Sequence, residues 1–170
     1  MSEKATSGPL IDVTHLEISS PGRADPGAIL IQAGKSPMYA AWLIIGGGGP
    51  RNALVIDNGK YGFKVFDASQ ANGVFMRVKN PRFVVDTDSG ITGMDGSPEK
   101  GTLFVTSDGA GILAGLDHGE CRVMLDGTIS DHSSYSEFAG FPHWRIEVDG
   151  PGDQPRTLFT YRDQSLDKDD

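Results

Sequence analysis

The chain has a single cysteine, Cys121, so no disulfide can form within it. Between Glu120 and Arg122 at the start of a β-favouring run, Cys121 reads as a small half-buried side chain rather than a nucleophile. Long apolar runs are missing as well. No segment approaches the ~18 residues of a membrane span, and Met1 to Pro9 lacks the basic-then-apolar layout of a signal peptide. The expectation is a cytoplasmic protein with no membrane partner. Paired histidines are absent too: His15, His118, His132 and His143 offer neither His-x-His nor His-x-x-x-His, so no metal site is expected. Clustered positive charge is scarce. A net charge of −8 argues against a nucleic-acid partner, because phosphate binding needs grouped Lys and Arg. Lys64, Arg77, Lys79 and Arg82 can share a sheet face, but a solvated outer face accounts for them.

Complete cofactor motifs are also lacking. Gly34-Lys35-Ser36 ends like a phosphate-binding loop, yet Ile29 stands where the first glycine belongs and Pro37 follows directly. The run of glycines at 46–49 has neither the spacing nor the following helix of a dinucleotide fingerprint, and reads as a loop or a lid over a cavity. Asp86-Thr87-Asp88-Ser89-Gly90 begins like a calcium loop, but its twelfth position is Ser97, so the bidentate carboxylate is missing and an Asp-rich turn is the reading. No cofactor is implied.

What the chain does have is punctuation. Runs rich in Val, Ile, Phe and Tyr are cut by Asn58-Gly59, Asn72-Gly73, Asn80-Pro81, Ser89-Gly90, Asp108-Gly109 and Asp126-Gly127. Twenty-three glycines and ten prolines fit a protein of many turns. The pattern predicts an all-β domain over residues 10–162, an antiparallel β-sandwich, jelly roll or closed β-barrel of roughly 8–12 short strands. A meander of four is expected over residues 53–87, and the cleanest alternation sets Trp144, Ile146 and Val148 against His143, Arg145, Glu147 and Asp149. Residues 36–45 are ambiguous: Ser36 and Pro37 suit a helix start, whereas Trp42-Leu43-Ile44-Ile45 suits a buried strand. Residues 1–9 read as a loose arm, and 163–170, with four Asp against one Lys, as a frayed acidic tail.

The rhythm fails at residues 36–50, 88–100 and 127–142, and long connections on a rigid scaffold are where function concentrates. The last of these carries the most chemistry. Asp131, His132, Tyr135, Glu137 and His143 are the candidate acid/base groups, since a carboxylate beside an imidazole raises its basicity and a tyrosine can donate a proton. Phe138, Phe141, Trp144 and, from elsewhere, Trp42 are the candidate ligand-binding aromatics, each also able to serve as a core anchor. Three functions remain open. One is a non-enzymatic binding or structural module that forms a homo-oligomer. The second is a cofactor-independent barrel enzyme, of isomerase or cyclase type, acting on a small hydrophobic metabolite in an enclosed cavity. The third is carbohydrate binding, which needs an exposed aromatic platform.

Overall fold

A computed structural model of the chain describes residues 11–33, 41–47, 51–59, 62–92, 98–130 and 138–162. The all-β expectation holds. The strands are β1 (Leu16–Ser19), β2 (Ile29–Ala33), β3 (Ala41–Ile45), β4 (Asn52–Ile56), β5 (Lys64–Asp67), β6 (Val74–Val78), β7 (Arg82–Val85), β8 (Ile91–Thr92), β9 (Leu103–Thr106), β10 (Gly109–Leu116), β11 (Gly119–Met124), β12 (Ile129–Ser130), β13 (Ala139–Phe141), β14 (His143–Asp149) and β15 (Pro155–Arg162). The described half of the ambiguous stretch is strand β3; residues 36–40 lie outside the described residues. β1 begins only at Leu16, because Asp12 accepts the Thr14 backbone N–H and turns Val13–His15 into a short 3-10 helix.

Twelve strands form one sheet in the order β1-β6-β2-β3-β4-β5-β10-β9-β13-β8, with β11 on β10 and β12 on β11; β15, β14 and β7 form a second. Two expectations need correction. The path of the large sheet does not close: β1 pairs with β6 and β8 with β13, and the two ends do not pair with each other among the described residues, so the closed barrel is not what forms. Nor do residues 53–87 make a meander. β4 and β5 are neighbours, but β6 inserts antiparallel between β1 and β2, and β7 leaves for the second sheet. The turn residues between these strands are as the sequence suggests, but of these connections only the one through Asn58-Gly59 joins strands that pair, because partners are selected by which faces can be buried.

Period-two burial explains the layers. From β2 to β4 both faces are covered. Ile29, Ile31, Leu43, Ile45, Leu54 and Ile56 enter the main core, whereas Leu30, Ile44 and Ala53 join Ala24, Ala68 and Phe75 in a smaller cluster on the opposite side. The second sheet packs onto the main core with Trp144, Ile146 and Val148 from β14 and Phe159 and Tyr161 from β15. A bulge helps. Ile146 opposes Phe159 and Glu147 opposes Thr157, which leaves Leu158 as the extra residue and lets both Leu158 and Phe159 turn inward.

The two sheets are joined at Gly101. Its N–H donates to the Leu113 carbonyl of the large sheet (2.8 Å), and its carbonyl accepts the Trp144 indole N–H of the second sheet (2.7 Å). Tyr161 donates its hydroxyl to the neighbouring Lys100 carbonyl at 2.8 Å. Phe63 sits beneath, its ring centroid 4.8 Å from that of Tyr161 and 6.1 Å from that of Trp144, and edge-on to both. Its own φ of 53° is rare for a bulky residue and is held by two bonds, Phe63 N–H to Val55 and Gly115 N–H to Phe63. Gly101 has φ +97°, and a Cβ there would stand 2.7 Å from both Phe63 and Tyr161 ring atoms.

Two outcomes follow from this arrangement. Trp144→Ala costs about 3–5 kcal/mol, and Trp144→Phe about 1–3 kcal/mol by orphaning the Gly101 carbonyl. Gly101→Ala is also strongly destabilising, while Gly22→Ala, which meets open space, is near neutral; urea unfolding ranks all four. The second concerns acid. The Asp12, Asp67 and Asp126 carboxylates accept hydrogen bonds from Thr14, Ser69 and Thr128, which hold them below the ordinary value of 3.8. A native value below the unfolded one gives stability that is present above pH ~4 and lost as pH falls through the lowered native values. The triple Asn variant is expected to lose urea resistance less steeply than the wild type between about pH 5 and pH 2.

Candidate functional site

Residues 131–137 lie outside the described residues, and with them Asp131, His132, Tyr135 and Glu137. The remaining candidates are not brought together. Trp144 is 3% exposed and its N–H is engaged by Gly101, so its ring works as the anchor between the sheets. Phe141, on β13, packs against the main core. Trp42 belongs to the opposite side of the large sheet, edge-on to Phe75 at 5.1 Å. Phe138 faces a different partner, the Arg122 guanidinium, 5.3 Å from its ring centroid. Phe104 lies 5.0 Å from the same guanidinium. Arg122 is 3% exposed, so a permanent cation is held between two rings where little water reaches it. Cys121 next to it is buried, and burial pushes its thiol up from the ordinary value, which keeps it neutral and a poor nucleophile.

His143 begins β14 on the outward-facing side. Its Nε2 is buried and has no hydrogen-bond partner among the described residues, and it borders a shallow depression of about 150 Å³ with Asp86, Arg145, Thr160 and Arg162. The Asp86 backbone N–H donates to the His143 carbonyl at 2.9 Å, and the Asp86 carboxylate accepts the Asp88 N–H, closing an Asp-rich turn. Among the described residues, no three His, Cys, Asp or Glu side chains gather as a ligand set for a metal ion.

Two larger concavities lie elsewhere, at the β1–β6 end of the large sheet. A cleft of about 660 Å³ is lined by Glu17, Gly27, Arg77, Lys79, Asn80 and Asp126. A second of about 360 Å³ shares Glu17 and Arg77 and adds Ser19, Ser20 and Arg23. Glu17 and Arg77 are cross-strand neighbours in the β1–β6 ladder and form the ridge between the two. Arg77 is steadied by Asp25 at 3.2 Å, and Lys79 Nζ donates to the Thr14 carbonyl at 3.3 Å. Asp126 reaches the cleft wall because Gly127, at φ +84°, lets its turn press against Gly27 and Ile44, where a Cβ would collide. Gly46, first of the glycine run, donates its N–H to the Gly127 carbonyl and is pinned at this junction. Exposed apolar side chains border the same end: Val13, Ile18 and Val74.

Arg77 and Lys79 are visible in the sequence as basic residues, but Arg82, grouped with them there, lies on β7 of the second sheet, paired with Asp149 at 2.7 Å. Glu17, Asp25 and Asp126 carry no motif. The one local signal is Glu17 between Leu16 and Ile18, a charged residue in a short alternating run.

Compared with known proteins, the chain matches no family model, no curated protein and no solved structure. Among the described residues no helix is long and apolar enough to cross a membrane. Replacing Arg122 by Lys is expected to cost about 1–2 kcal/mol in urea unfolding, since an ammonium cannot stack on Phe104 and Phe138 as a planar guanidinium does.

Proposed function

We propose that this chain is a non-enzymatic all-β module, cytoplasmic, that works through its surface, as a binding or structural unit able to assemble with other chains. The observation that carries the reading is the β1–β6 end. Charged clefts meet an exposed strand with apolar side chains there, while side chains fill both faces of the central strands β2 to β4. Surfaces of mixed charge with apolar spots suit a macromolecular partner better than a small hydrophobic metabolite, which needs an enclosed apolar pocket. Light scattering and native mass spectrometry over a wide concentration range test it. Species larger than one chain support it; a strict monomer that turns over a small metabolite overturns it.

One observation favours a second reading, a small-ligand or acid/base site. His143 holds a buried Nε2, without a hydrogen-bond partner among the described residues, beside Asp86 and Arg145. An imidazole nitrogen in that state can accept or donate one proton or one hydrogen bond. Under this reading His143→Ala abolishes ligand binding or turnover with little change in stability. Sugar recognition is the remaining alternative, and Trp42, half-buried at the edge of the smaller cluster, is the ring it would use; a glycan array distinguishes it.

A further inference from the structure

We propose that β1 is the edge on which a second copy of this chain docks, as an antiparallel pair with Ile18 on the two-fold axis. This rests on the surface-module reading and names its partner. Just before the β1–β6 ladder, the Lys79 N–H donates to the carbonyl of His15, the residue opposite it in register, which sets the phase of the ladder. The alternation of an antiparallel ladder then turns the N–H and C=O of Glu17 and Ser19 toward β6. Those of Leu16 and Ile18 face outward. No other described strand pairs with that edge; the Ile18 side chain there is apolar and 82% exposed, with Val74 beside the Ile18–Met76 pair 55% exposed. An extended edge with outward amides and bare apolar side chains is a template for strand addition.

Charge selects the occupant. A chain of net charge −8 repels its own copies over most of its surface. Around β1, however, Arg23, Arg77 and Lys79 are matched by Glu17, Asp25 and Asp126. A neutral mosaic of both signs can face its own image across a two-fold axis, each cation meeting a carboxylate of the other copy.

Sterics and charge also select the register. Centring the pair on Glu17 sets two carboxylates directly opposite each other, which is unfavourable. Centring it on Leu16 sets Ile18 against Thr14, which lies in the 3-10 turn and cannot extend the ladder. Centring it on Ile18 lets the two outward-facing Ile18 residues exchange N–H···O=C bonds. Their side chains then lie together on one face, and Glu17 meets Ser19 of the second copy. With four residues in β1 the pairing is short, so the dimer is reversible and concentration-dependent.

Sedimentation velocity and native mass spectrometry on the full chain test this, with far-UV circular dichroism to establish that each variant is folded. A monomer–dimer equilibrium is expected for the wild type, and Ile18→Lys is expected to abolish it. Ser19→Lys, which brings an ammonium opposite Glu17 twice per dimer, tightens it on the order of fivefold. Ile18→Cys is expected to be joined to a second copy by a short thiol-specific cross-linker, the buried Cys121 remaining unmodified. A dimer that survives Ile18→Lys, or that Ser19→Lys leaves unchanged, overturns the β1 edge and this register while leaving the surface-module reading standing. A wild type that is monomeric at every concentration overturns the inference, and the broader reading falls with it only if turnover of a small metabolite is also found.

Discussion

The fold depends on what the backbone of one residue, Gly101, does. Its N–H bonds the large sheet and its carbonyl the second, so this residue ties the two layers with bonds in both directions. Around it Phe63, Trp144, Phe159 and Tyr161 form an aromatic nest with little tolerance for added volume. Hydrogen bonds alone contribute modestly when water can replace them. Here the donors and acceptors are sealed by rings, so losing one leaves a polar group with no alternative partner. That is why an unusual backbone angle is maintained at Phe63: its ring fills the space between the layers, and burial offsets the strain.

From that junction the surface chemistry is laid out. Val78 of β6 shares the main core with the second sheet, and Leu16 and Met76 pack against it, but Ile18 and Val74 at the same end of the large sheet remain exposed. At the other side, Arg122 is enclosed by Phe104 and Phe138 instead of reaching solvent. The acidic excess of the chain is thus spread over loops and turns, several of which use an aspartate as their own cap. Both signs of charge also meet on the second sheet, in the Arg82–Asp149 and Arg145–Glu147 pairs, while at the β1–β6 end they come from strands and loops far apart in the sequence.

Much of the fold was legible. Val, Ile and Phe runs ended by Asn-Gly or Asp-Gly located most strands to within a few residues, because burial period and turn chemistry are local properties. The inward set Trp144, Ile146 and Val148 was readable for the same reason. Pairing was not. Nothing in residues 74–78 says that they insert between residues 16–19 and 29–33, and nothing near Phe63 signals a left-handed backbone. The candidate site was less legible still. The His- and aromatic-rich stretch 127–144 stands out in the sequence, but its described aromatics Phe138, Phe141 and Trp144 take separate surroundings. The β1–β6 clefts went unread, since Glu17, Asp25, Arg77 and Asp126 are ordinary residues until tertiary contact makes them neighbours.

The insertion of β6 between β1 and β2 also has a consequence for the chain as it is made. During vectorial synthesis the first two strands emerge well before residues 74–78, and at about 5–20 residues per second the wait lasts seconds. Throughout it Ile29, Leu30 and Ile31 have no partner on the edge that β6 will later fill. Pairing β1 directly with β2 would be a local and rapid alternative, and it must come apart before the native order can form. The nascent chain is therefore most vulnerable to kinetic trapping before its middle third has left the ribosome, at a stage when the aromatic nest does not yet exist.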